Sequence, residues 1–219
     1  MEALILYFVL FFPSVYTSGI SVSPSSAGSI PFSAINELAR TLTYSIPSLV
    51  LLWYLVTGKF FSGKIWERKH RALGRLDLYS FAAGLPVLII IGFVISLLVS
   101  FFSKYYDIAL PLKVEAPVHV WGWVVMVFAC LCTGYLEESY FRYYLLTKFE
   151  SQLPNPVFRI LLSTIMFSFC HVYEGPWGIL NSALAGLLLS ALFLRFRSVH
   201  GIAWAHGAYN IFVYTMGIF

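Results

Sequence analysis

The sequence predicts an all-α, polytopic transmembrane helix bundle of about seven spans, with six to eight allowed by its length. Composition is the first ground: 59% of the 219 residues are hydrophobic and only 11% are charged, against about 25% charged in soluble domains. Patterning is the second, because the apolar residues form long runs rather than the apolar–polar alternation of an outer-membrane barrel. The third is the placing of lysine and arginine between those runs, where every basic cluster except Lys104 and Lys113 follows the positive-inside rule.

The first run, Met1 to about Tyr16, lacks a basic start, so it reads as a retained helix rather than a cleaved signal. Thr17 to Pro31 is rich in Ser, Gly and Pro and reads as a loop. Span two is expected from Ala34 to Val56, with Pro47 as a tolerated kink. The segment Gly58 to Arg75 carries Lys59, Lys64, Arg68, Lys69, Arg71 and Arg75 against Glu67 alone, and marks the cytoplasmic side. Span three is expected at Leu78–Phe102, followed by an outer loop, Ser103 to Val118. Span four runs from interfacial Trp121 and Trp123 to about Phe149, longer than hydrocarbon needs. Pro154 and Pro156 turn the chain into span five, about Val157 to Tyr173, and Gly175-Pro176 ends it. Span six is about Trp177 to Leu194, capped by Arg195 and Arg197, and span seven about Gly201 to Phe219. Alternation puts the N-terminus, Lys148, Arg159, Arg195 and Arg197 inside and the C-terminus outside. The whole chain, 1–219, reads as one integral membrane domain whose motifs all fall in 118–219, with none in 1–117.

Within span four stands Glu137-Glu138-Ser139-Tyr140-Phe141-Arg142. A charge in hydrocarbon costs from about 2.5 to over 10 kcal/mol, so three within six residues require partners or a hydrated cavity. Glu137 and His171 each lie about 17 residues from Pro154, which puts them at one depth on an antiparallel hairpin. His206 and Asn210, four apart on span seven, share a helix face at a similar depth. Thr164, Ser168 and His171 form a polar stripe expected to face the same cavity. Glu138 and Arg142 are spaced for a helical ion pair, which leaves Glu137, about 100° around the helix, to do chemistry. His119, at a span entrance, and His70 and His200, expected in loops, read as packing residues. Cys130, Cys132 and Cys170 read as buried small hydrophobes.

Glu137-Glu138-x-x-x-Arg142, Phe167-x-x-x-His171 and His206-x-x-x-Asn210, in that order, resemble the three motifs of the CPBP (Abi, or type II CAAX prenyl endopeptidase) intramembrane proteases. The resemblance covers about Trp121 to Phe219. It implies an intramembrane endopeptidase in which Glu137 activates water with help from His171, while His206 and Asn210 stabilise the oxyanion and Glu138 and Arg142 support. A glutamate base needs partial desolvation to work near neutral pH, and each oxyanion donor is worth about 3–4 kcal/mol. The cavity is expected to open toward the cytoplasmic half. No cofactor is expected with assurance: metal-free hydrolysis is favoured, and zinc on Glu137, His171 and His206 is the other option, since His-Glu-x-x-His is absent. The expected partners are a peptide or lipidated peptide and membrane lipids, with no nucleic acid. The expected location is a bacterial inner membrane. The competing class is a non-catalytic membrane protein binding haem or metal through its histidines, or an ion or proton pathway.

Overall fold

Helix α9 (Val199–Met216) is the axis on which the other elements are placed. The computed structural model describes residues 1–21, 31–57, 73–106 and 114–217, and no β-strand occurs among them. Seven helical rods can be followed among the described residues. They are α1 (Glu2–Ser21), α2 (Ala34–Arg40) joined to α3 (Ile46–Thr57), α4 (Arg75–Phe102), α5 (Val120–Glu138) joined to α6 (Leu145–Lys148), α7 (Pro156–Phe169), α8 (Gly175–Phe196) and α9.

Small residues let α9 sit against two neighbours at backbone distance, the packing that replaces the hydrophobic effect between helices in lipid. A Cβ on Gly134 of α5 would stand 2.8 Å from the Ala203 carbonyl oxygen and 3.0 Å from the Gly207 nitrogen. On its other side α9 runs parallel to α4. Gly201 lies against the Asp77 carbonyl, Gly84 against Ala205, and Gly92 against the Tyr209 ring. Ser198 caps α9 by accepting from the Gly201 N–H at 2.9 Å, and its own hydroxyl donates to Asp77. Asp77 also accepts from the Gly74 N–H at 2.7 Å, so one carboxylate ties the starts of α4 and α9.

Two rods are not uniformly α-helical. Between α2 and α3 a wider, π-type turn covers Thr41–Ser45, just before Pro47, which has no N–H to return to the preceding turn. A second wide turn, Ser139–Tyr144, joins α5 to α6 and contains no proline; such turns concentrate at functional sites.

Among the described residues three rods are long and apolar enough to cross a membrane: Arg75–Phe102, Val120–Lys148 and Val172–Phe196. The expected fifth span is shorter than Val157–Tyr173. Helix α7 ends at Phe169 after 14 residues, about 21 Å, because Gly175 takes φ +77° and Pro176 starts α8, leaving a tight turn at Val172–Glu174 between them. The loop expected from Thr17 is helical to Ser21, since a nucleated ladder continues through Ser and Thr at little cost. Most of the basic segment, including Lys59 to Arg71 and His70, lies outside the described residues, as does 107–113 of the outer loop. At one end of the bundle Glu2 meets Lys148 at 3.0 Å, and Glu150 faces Arg159 at 3.6 Å and Arg197 at 3.9 Å. Lys148, Arg159 and Arg197 thus share one end.

Candidate active site

The Gly134 contact fixes α5 against α9 one turn before the acidic pair, so Glu137 and Glu138 arrive beside His206. Glu138 is completely buried. Its Oε1 accepts from Arg142 Nη1 at 2.8 Å and stands 2.8 Å from His206 Nδ1. An ionised carboxylate only accepts, so this contact assigns a proton to His206 Nδ1. The ion pair expected from spacing is present, with both side chains at 0% exposure. Glu137 is held less tightly: its Oε2 lies 3.6 Å from His206 Nε2, and its side chain keeps 16% exposure. His206 therefore stands between the two carboxylates, one nitrogen toward each.

Phe167 forms the floor beneath this cluster. Its ring lies 4.3 Å from the Arg142 guanidinium carbon, within cation–π range, and edge-on to His206 at 5.9 Å and to His171 at 4.7 Å. The histidines of the second and third motifs are thus brought to the same aromatic ring. His171 sits just beyond the end of α7, not on the helix, and its Nδ1 is 2.9 Å from the Phe167 carbonyl oxygen. That contact directs Nε2 away from the backbone. Asn210 is half-buried on α9, one turn beyond His206, and no hydrogen bond ties it to the glutamates among the described residues.

The stripe on α7 is buried rather than open. Thr164 packs on Gly186 of α8, and Ser168 is 8% exposed. His200 lies in the first turn of α9 rather than in a loop, because the Ser198 cap starts the helix at Val199. Its Nδ1 meets the Tyr135 hydroxyl at 3.1 Å, and that hydroxyl also accepts from Trp204 Nε1 at 2.7 Å. His119 precedes α5 at its N-cap, and all three cysteines are unpaired, Cys130 and Cys170 being buried. Among the described residues no group of three His, Cys, Asp or Glu side chains is placed to hold a metal ion together.

Sequence reasoning missed two supports from the N-terminal helices. Trp53 of α3 donates to Ser139 Oγ at 3.1 Å, next to Glu138, and its ring stacks on Tyr143 at 5.8 Å. Tyr7 of α1 packs on Tyr140 and Phe141, both at 6.3 Å, and its hydroxyl donates to the Met166 carbonyl at 2.9 Å. No spacing rule pairs residues so far apart in the chain; an exposed-looking Tyr or Trp inside an apolar run was the only signal.

The three motifs are therefore assembled on α5, α9 and the end of α7. Residues 119–212 match the family model described as Type II CAAX prenyl endopeptidase Rce1-like. No curated protein and no solved structure matches the chain. The stretch that carries Glu137, Glu138, His171, His206 and Asn210 is thus similar to the Rce1-like type II CAAX prenyl endopeptidases, and it is set in a bundle of apolar helices.

Proposed function

We propose that this chain is a membrane-embedded endopeptidase that cleaves a peptide bond with water activated by Glu137. The observation that carries the reading is His206 standing between a locked carboxylate, Glu138, and a loosely held one, Glu137. Glu138 and Arg142 neutralise each other, so the base is Glu137. Its carboxylate takes a proton from water lying toward His171, and the resulting hydroxide attacks the scissile carbonyl carbon. With Nδ1 held by Glu138, His206 Nε2 carries a proton in its cationic form and donates it as a hydrogen bond to the developing oxyanion. Asn210, on the same face of α9, supplies the second donor. On collapse the C–N bond breaks, and the proton held by Glu137 passes to the leaving amine. A cationic His206 with Arg142 balances the two carboxylates, which suits a site with little water.

The substrate is a peptide held in the membrane, and the family's name makes a prenylated peptide the first probe. Glu138 lies ten residues before Lys148, about 15 Å along the helix, and His206 seven after Val199, about 10 Å. These distances support a site entered from the end that carries Lys148, Arg159 and Arg197, cytoplasmic by the positive-inside rule, in a bacterial inner membrane with the N-terminus inside.

The test uses detergent-purified protein with a farnesylated Cys-a-a-X peptide, its unprenylated twin and a set of membrane peptides. Wild type cleaves at least one of them, and Glu137→Gln loses at least about 100-fold in kcat, as expected for a lost general base. Equal cleavage by the two proteins overturns the proposal. The same reaction in chelator, with metal analysis of the purified protein, decides metal dependence.

A further inference from the structure

We infer that Tyr7, on a helix outside the family-matched segment, is a positioning residue that sets the gap between the Glu137 side of the site and His171. This rests on His171 acting beside Glu137, as proposed above. Its starting point is the end of α7. The last four carbonyls of a helix have no partner within it. Here the final turn tightens: the Cys170 N–H turns to the Phe167 carbonyl at 3.1 Å, and the His171 N–H to that of Ser168 at 3.0 Å. The Met166 carbonyl thereby loses the backbone donor four residues on and is left with the Cys170 thiol, at 3.5 Å. Tyr7 supplies a replacement, its hydroxyl donating to Met166 at 2.9 Å, while the Cys170 thiol reaches that hydroxyl at 3.4 Å.

The same side chain grips the other half of the site. Its ring rests on Tyr140 and Phe141, in the wide turn that follows Glu138. Phe141 in turn is edge-on to Phe167 at 5.1 Å, and its carbonyl accepts from Ser163 of α7 at 2.7 Å. One tyrosine, 8% exposed, thus touches the support of the acidic pair with its ring and caps the turn that presents His171 with its hydroxyl. Helix α1 is held in that place by further bonds. The Tyr140 hydroxyl donates to the Ala3 carbonyl at 2.5 Å, the Tyr144 hydroxyl to Glu2 at 2.7 Å, and the Tyr44 hydroxyl to the Leu10 carbonyl. A residue that only filled space would need the ring and not the hydroxyl.

The experiment compares Tyr7→Phe, which keeps the ring, with Phe11→Leu, which trims the neighbouring ring packed on Tyr7, Tyr140 and Phe141. Two readouts are taken on the full chain in detergent: cleavage of the farnesylated peptide, and the ring chemical shifts of carbon-13-labelled histidines. Tyr7→Phe is expected to lower kcat about three- to tenfold, the equivalent of one neutral hydrogen bond, with KM within twofold. It should also move the His171 resonance while leaving His119 in place. Phe11→Leu should lower the unfolding temperature without moving His171. An unmoved His171 signal in folded Tyr7→Phe, or an equal shift in Phe11→Leu, overturns the inference. If wild type cleaves no peptide, the chemical shifts still decide the role of Tyr7, and only the proposed activity falls.

Discussion

Glu137 and Glu138 are neighbours of one residue type, yet they occupy opposite surroundings. Glu138 is fully buried and shares one oxygen between a guanidinium and an imidazole, both at 2.8 Å. Glu137 keeps partial exposure and approaches His206 only to 3.6 Å. A buried carboxylate with two strong partners is fixed in its rotamer, which is what a scaffold needs. A carboxylate with one long contact can take up a proton and give it back, which is what a base needs. Adjacent positions differ because a helix turns about 100° per residue, so one faces the packed α9 and the other the gap beside it.

The comparison breaks most visibly at Glu138. Replacing it with alanine leaves Arg142 charged in a fully buried site, so about 3–5 kcal/mol of stability should go, seen as poor recovery and early thermal unfolding in detergent. The matching Glu137→Gln protein should unfold within a degree or two of wild type. Reversed stabilities for the two variants would abolish the distinction drawn here. A smaller change sharpens it: Trp53→Phe removes the hydrogen bond to Ser139 but keeps an aromatic ring on Tyr143, and should cost about 1 kcal/mol by the same unfolding assay. Least of all, Glu2→Gln weakens the half-exposed pair with Lys148 and should change stability by under about 1 kcal/mol, an effect that added salt reduces.

Much of this was legible in the chain. The seven rods follow from apolar runs, because an apolar run in lipid has few alternatives to a helix. The Glu138–Arg142 pair follows from i,i+4 spacing. What could not be read is the register between helices distant in sequence. His206 meets Glu138 because Gly134 and Gly207 admit backbone contact at one level, and the sequence does not say which glycine faces which helix. The wide turn at Ser139–Tyr144 carries no proline or glycine to announce it. The early end of α7 was announced by Gly175-Pro176, but those residues lie four and five positions after His171, so span five was drawn too long.

The contact of Gly134 with Ala203 and Gly207 has a consequence for how the protein responds to its membrane. Where Gly134 meets Ala203 and Gly207, no side chain of Gly134 stands between the two backbones to rotate, compress or exchange places with a lipid tail. The two helices therefore tilt as a single strut when bilayer thickness changes, and the distance from either glutamate to His206 travels with them unchanged. Thinner or thicker lipid would alter how a peptide reaches this site well before it altered the site's internal dimensions.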